Sequence, residues 1–273
     1  MPRTTAPLVA LVLALVLAHG CGGTRGKQPT PSGGLSRIVE SGELRIGMSG
    51  EQPPLTMKSR NGELLGLDVA LGRVLAQSMG VRANFVQMPF GKLLDALENH
   101  ELDLVMSGVT ITPERTARVA FVGPYFTSGK SLLTRSPELA ATQVASDLDS
   151  SKLRLAALAG STSEAFVRAN APQAKLITTK GLMQAIEKVI KGDADALVAD
   201  RETCAFAVLR YPDAGLIDAE AAFTVEPMGI AVPLDEPRLA NLVQTYLNAL
   251  AERGTLKKAT QFWLKDPSWV KDL

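Results

Sequence analysis

Apolar and polar positions along this chain follow two periods, and the period switches repeatedly. "ELRIGMS" (43–49) is a short strand-like run, while "LDVALGRVLAQSMG" (67–80) carries apolar residues at helical spacing and closes at Gly80. "ANFVQM" (83–88) returns to strand text, "FGKLLDALENHE" (90–101) is an amphipathic helix, and "DLVMSG" (103–108) is a strand again. Strand, helix, strand, helix, strand with short connections predicts a largely parallel sheet with helices on both faces. The same grammar restarts at "KLRLAALAG" (152–160) and continues through "STSEAFVRANA", "AKLITT", "GLMQAIEKVIKG", "DADALVAD" and "RETCAFAVLRY" (201–211). Two stretches, 128–135 and 225–233, read as extended crossings between these units. The last part, "EPRLANLVQTYLNALAERGTLKKATQFWL" (236–264), predicts two helices broken near Gly254.

The expected fold class is therefore α/β, with two lobes joined by two crossing strands and a ligand cleft between them. Lobe 1 is expected to comprise 35–130 plus 229–273, and lobe 2 to comprise 131–228. If the second crossing returns to lobe 1, the C-terminal helices pack there. Ligands of open α/β sheets bind beyond the carboxyl ends of the strands. Three strand ends carry polar or glycine-rich text: "MSGVTITPER" (106–115), "LAGSTSE" (158–164) and "VADRE" (198–202).

The first residues follow neither period. "LVALVLALVLA", Leu8 to Ala18, is eleven unbroken apolar residues behind a short start containing Arg3. A membrane-spanning helix needs about 20 such residues, so this is the apolar region of a secretory signal, expected over 1–20. "LAHGCGG" resembles the junction of a bacterial lipoprotein signal, which makes Cys21 a candidate lipidation site; a signal cleaved without lipidation is the alternative. Residues 21–34, rich in Gly, Pro, Ser and Thr, read as a flexible tether. The protein is expected in the periplasm or cell envelope, touching a membrane only through such an anchor.

Composition narrows the function. The chain has 273 residues, 46% apolar and 21% charged, which allows a sizeable core. Its net charge is +1, and loss of Arg3 with the signal brings it near zero. A chain with no basic stripe and 5% aromatics is not built for nucleic acid. Beyond the signal, His100 is the only histidine, and it reads as a surface residue at a helix-to-strand turn. No metal-ligand cluster, P-loop or serine–histidine pairing is discernible, and no cofactor is expected. Cys204, without a partner if Cys21 is anchored, reads as a buried small apolar residue.

Three places could carry chemistry. Thr112 is a good N-cap and Pro113 is favoured at the first helical position, so a short helix should start there. Its free N–H groups and the planar fork of Arg115 make a carboxylate receptor, or else a capped surface turn with a solvated arginine. Gly160-Ser161-Thr162-Ser163 repeats the theme more weakly. Asp200, at the end of a strand, needs a cation: Arg201, Arg115 or a ligand ammonium. Arg115 and Asp200 across one cleft would suit a zwitterion.

With these residues in view, "GLDVALGRVLAQSMG", "LDLVMSGVTITPERTARVAFVGPYFTSG" and "DALVAD" resemble the polar amino-acid family (family 3) of extracellular solute-binding proteins that serve ABC importers. The resemblance implies the type II periplasmic-binding fold, a monomer, and capture of an amino acid or similar small carboxylate by hinged lobe closure. It implies that Gly108 and Thr110 offer groups to the ligand carboxylate, that Arg115 clamps it, and that Thr162 helps from the second lobe. It further implies that Asp200 takes the α-ammonium, that Phe90 packs against the ligand, and that Asp68 is an acid near the cleft. Where the family often has an aromatic in the first loop, this chain has Gln52, with Leu55 beyond it, so one wall of the site differs.

"GPYFTSGKSLLT", with Lys130, and "GSTSEAFVRANAP" also resemble the periplasmic cyclohexadienyl (prephenate/arogenate) dehydratases. That chemistry needs a positioned acid, which in those enzymes falls at the position of Thr203 here. Glu202 is one residue away, and one residue on a helix turns a side chain by about 100°. Binding is the favoured expectation, the dehydratase the alternative, and a ligand-sensing partner module a third. Lys130 otherwise reads as a solvated residue on a crossing strand.

Overall fold

The structure, a computed structural model, describes residues 34–219 and 222–273. The expected signal, Cys21 and nearly all of the tether lie outside these residues. Helix α1 (Gly34–Ser41) leads into β1 (Glu43–Met48), a small hairpin of β2 (Met57–Lys58) and β3 (Leu64–Leu65), and α2 (Leu67–Ser78). Then come β4 (Arg82–Gln87), α3 (Leu93–Glu98), β5 (Leu104–Thr110), the single turn α4 (Pro113–Thr116) and β6 (Ala120–Ser128). The chain continues as β7 (Lys130–Thr134), α5 (Pro137–Ala140), β8 (Arg154–Leu158), α6 (Thr162–Asn170), β9 (Lys175–Thr179), α7 (Leu182–Ile190) and β10 (Ala196–Asp200). It closes with α8 (Arg201–Arg210), β11 (Ile217–Asp218), β12 (Glu226–Val232), α9 (Pro237–Glu252) and α10 (Thr255–Lys265).

These strands form two five-stranded sheets, β4-β1-β5-β12-β6 and β11-β7-β10-β8-β9. In each, three strands run parallel, as the strand–helix alternation predicts: β4, β1 and β5 in one, β9, β8 and β10 in the other. The departures are the crossings. β7 pairs antiparallel with β10, and β12 antiparallel with both β5 and β6. The reason is directional: a strand entering a lobe from the cleft runs against the strands that end at the cleft.

The two crossings pass each other tightly. Lys130 donates its amide to Thr224 Oγ1 at 2.9 Å, and Phe223 donates to Lys130 O at 2.8 Å. A Cβ on Gly129 would sit 2.3 Å from Thr224 O, so only glycine fits between the strands.

Helix α9 places Leu239, Val243, Tyr246, Leu247 and Leu250 on one face, and these complete a core with Leu71 and Leu75 of α2 and Ile230 of β12. The C-terminal helices thus pack on the first sheet, as expected. A second core, around Leu155, Phe166, Val167 and Val198, lies on the other sheet. A third apolar cluster joins the lobes, with Phe90, Leu93 and Leu97 on one side and Leu158, Leu182 and Ile186 on the other. Trp269, beyond α10, stacks on Phe206 of α8 with ring centroids 5.9 Å apart. Among the described residues no helix is long and apolar enough to cross a membrane.

Candidate functional site

β5 delivers Gly108 and Thr110 to the cleft, and the next turn is capped as expected. Thr112 Oγ1 accepts from the Arg115 amide at 3.2 Å, with Pro113 opening the turn. The helix is a single turn, so Arg115 rather than a long helix dipole carries the positive charge. Its guanidinium donates to Thr110 O at 3.0 Å and to Gly160 O, in the other lobe, at 3.2 Å. It also lies 5.7 Å from the centroid of the Phe90 ring. Burial lowers the Arg115 pKa, and the charges of Glu226, Glu114 and Asp200 oppose that shift. Arg115 is therefore not the solvated residue of the plain surface reading; it ties the two lobes together.

The second lobe meets this loop at its own strand end. Ser161 caps α6 by accepting from the Glu164 amide at 3.2 Å. Thr162 Oγ1 comes within 3.4 Å of Thr110 Oγ1. Gly160 has φ +73°, and a Cβ there would lie 2.8 Å from Gly91 Cα. The close backbone approach that Gly160 permits is to the opposite lobe. Gly91, which sequence reasoning passed over, is its counterpart.

Six of the eight expected ligand-binding residues line one central cavity: Gln52, Phe90, Gly108, Thr110, Thr162 and Asp200. With the lobes in contact, the space left there is about that of a single water molecule. Arg115 lies at the rim, lining a mouth cavity of about 660 Å³ with Arg118, Arg168, Glu114 and Glu164. Asp68 lies behind the cleft wall, fully buried, where its Oδ2 accepts the Gly108 amide at 2.8 Å. That amide is committed to Asp68, and Gly108 presents bare backbone to the cavity. Burial raises the Asp68 pKa to about 7, against the lowering influence of Tyr125 and the Gly108 amide. Asp68 Oδ1 and the neighbouring Tyr125 hydroxyl are both buried without a partner at ordinary hydrogen-bond geometry. Gln52 is also spoken for: its Oε1 accepts from Ser107 Oγ at 2.6 Å and Ser49 Oγ at 3.1 Å.

Two expectations need correction. Lys130 is not solvated; it is 1% exposed and lines the central cavity. Asp200 pairs with neither Arg201 nor Arg115. Its Oδ1 lies 2.5 Å from Lys130 Nζ, which is also 3.4 Å from Glu226 Oε2. The cause is register: in the antiparallel pairing of β7 with β10, Lys130 stands directly opposite Asp200. Glu226, absent from the expected set, is buried on the returning strand with Oε2 unpartnered by any hydrogen bond. Burial pushes the Glu226 carboxyl up, but the Lys130 charge and the hydroxyls of Thr224, Thr110 and Thr162 hold it below its ordinary value. One signal was readable: a lysine opens the otherwise uncharged strand "KSLLT".

The remaining candidates lie outside the cavity. Thr203 is buried and donates to Pro53 O at 2.8 Å. Glu202 accepts from the Ser128 hydroxyl and borders a separate recess with Pro54, Phe206 and Trp263, where burial raises its pKa. His100 is exposed, with φ +56° in the turn after α3, and Cys204 is fully buried.

Two α/β sheets linked by paired crossings, with a cleft at their strand ends, define the two-lobed type II periplasmic-binding fold. The profile of the bacterial extracellular solute-binding proteins, family 3, matches residues 44–266, and the chain belongs to that family. The cyclohexadienyl dehydratase of Pseudomonas aeruginosa is 26% identical over 231 residues, covering 85% of this chain and 86% of that protein. The L-arginine-binding protein of the same species is 28% identical over 224 residues, covering 79% of this chain and 85% of that protein. The solved structure of the ancestral amino acid-binding protein AncCDT-1, a precursor of cyclohexadienyl dehydratase, superposes with TM-score 0.78 at 33% identity, covering 85% of this chain and 99% of that chain.

Proposed function

We propose that this chain is an exported amino-acid-binding protein that closes its lobes on the ligand and delivers it to an ABC importer. The observation that carries this reading is the convergence of residues from both lobes on one cavity, with Thr110 and Thr162 in contact across it and Arg115 bridging the lobes at its rim. In this reading lobe 1 is 35–130 plus 229–273 and lobe 2 is 131–228. Thr110 and Thr162 hold the ligand carboxylate, and Arg115 turns from its backbone carbonyls to clamp it as the lobes part and re-close. Phe90, Gln52 and Gly108 shape the cavity, and Asp68 braces the Gly108 backbone from behind. Asp200 faces the ligand ammonium. Closure follows because the ligand touches both lobes only when they meet. The signal over 1–20 exports the chain, and Cys21 holds it at a membrane by the tether over 21–34.

A thermal-shift screen of the mature protein against the amino acids, prephenate and arogenate tests this. The expected result is a rise in melting temperature with at least one amino acid, lost in Arg115→Ala, because a ligand bound to the native state alone stabilises it. Binding by Arg115→Ala equal to wild type refutes the clamp. A dehydratase is the second reading, favoured by the similarity to that enzyme and by Lys130 in the cavity. Against it, Thr203 stands where those enzymes have their acid, and Glu202 faces a different recess. Release of phenylpyruvate from prephenate, or phenylalanine from arogenate, at enzymatic rates would overturn the binder reading.

A further inference from the structure

Resting on the amino-acid-binding reading, we propose that Lys130 is a built-in cation that sets ligand charge: the site accepts amino acids with one ammonium and no second positive charge, and rejects arginine and lysine.

The argument is electrostatic and starts from three side chains. Lys130 Nζ sits 2.5 Å from Asp200 Oδ1 and 3.4 Å from Glu226 Oε2, and all three groups are largely removed from water. Their sum is one negative charge. Asp200 and Glu226 alone would present two, and a low-dielectric site discriminates strongly between those values. Lys130 thereby cancels one of the two anions that could draw cations into the cavity. One ligand ammonium brings the group to neutrality; a second positive charge has no carboxylate left to meet. Asp68 cannot supply one, because the Gly108 backbone stands between it and the cavity.

The route outward offers little compensation, Glu114 being the one mouth carboxylate outside an ion pair among the described residues. A long side chain extending to the mouth meets a cavity lined by Arg115, Arg118 and Arg168 against Glu114 and Glu164. Glu164 is itself paired with Arg168. Arg118 is likewise paired with Glu98 and Asp95, so most of the charges around the mouth already satisfy one another. Specificity here comes from a repulsive element as much as from an attractive one.

The test uses the mature wild type, Lys130→Met, and the double variant Lys130→Met/Glu226→Gln. Affinities are measured by calorimetry for L-arginine, L-lysine, and the neutral and acidic L-amino acids. Wild type is expected to prefer its best neutral or acidic ligand over arginine and lysine by at least about tenfold. Lys130→Met is expected to shift that ratio toward the cations by at least about tenfold. The double variant restores a net charge of one negative and is expected to move the ratio back toward wild type. A merely structural lysine would show no such reversal. The double variant also removes one uncompensated buried charge, so it remains informative if the single variant folds poorly. Wild type binding arginine or lysine as tightly as neutral ligands, or an unchanged ratio in the folded variants, overturns the proposal while leaving the amino-acid reading intact. No binding of any amino acid by wild type overturns both.

Discussion

β5 and β10 both run toward the cleft and both end in polar residues, yet their charged groups are held by different means. At β5 the turn itself is built from local devices, with Asp68 behind Gly108 and the Arg115 bond to Gly160 O as its distant contacts. Thr112 caps the turn, Pro113 starts it, and Arg115, three residues beyond the cap, folds back onto Thr110. At β10 nothing local satisfies Asp200. Its partner lies seventy residues earlier on a strand that crosses from the other lobe, and the third charge comes from the returning strand. The first end is a motif, readable in one stretch. The second is an assembly that exists only once β7, β10 and β12 are in register. A buried charge that depends on distant partners is more costly to disturb than a surface cap, because removing one partner strands the others away from water.

That difference can be broken or sharpened experimentally. Lys130→Met should have the largest effect on folding, about 3–5 kcal/mol lost in chemical denaturation, since two carboxylates are left facing each other. Adding Glu226→Gln should recover part of it; an undiminished loss would mean that Lys130 acts through packing. Arg115→Ala should leave the fold intact but weaken ligand binding by about 2–5 kcal/mol, read by calorimetry, as for loss of one partner in a buried charged contact. A melting temperature that falls as much as in Lys130→Met would erase the contrast between the two strand ends.

Asp68 should show itself through pH. Its pKa is raised in the folded protein from 3.8 to about 7, so the native state holds a proton that the unfolded chain releases. That stabilisation is fully present below pH 3.8 and is lost as pH rises through 7. Between pH 5 and pH 8 wild type should lose roughly 2–3 kcal/mol more than Asp68→Asn, which cannot ionise. Parallel stability curves for the two proteins would refute it. The smallest effect belongs to the local device: Thr112→Ala should cost about 1 kcal/mol. A much larger loss would mean that the β5 end also leans on distant partners.

Much of the fold was legible because its signals are short-range. The switch between strand and helix periods located the main helices and the parallel strands, and Gly254 marked the break between α9 and α10. The run "SGVTITPER" announced the capped turn. Asp200 was found at a strand end, Gly108, Thr110, Thr162, Phe90 and Gln52 came from the family resemblance, and the structure gathers all six at one cavity. The misses share a cause. Lys130 read as solvated because a lone lysine on a strand usually is. Glu226 drew no notice because nothing beside it in sequence marks it as buried. Gly91 was invisible because its role is to meet Gly160 of the other lobe.

By itself, then, the amino-acid order determined what neighbours along the chain can decide: element periods, the Thr112 cap, glycine at tight turns, and two α/β units with crossings between them. Only the tertiary structure decided which charges face one another. Strand register set Lys130 against Asp200, the returning crossing brought Glu226 beneath them, and lobe contact turned Arg115 from a loop arginine into a bridge. Coulomb energies depend on separation and burial in space, and separation along the chain says little about either.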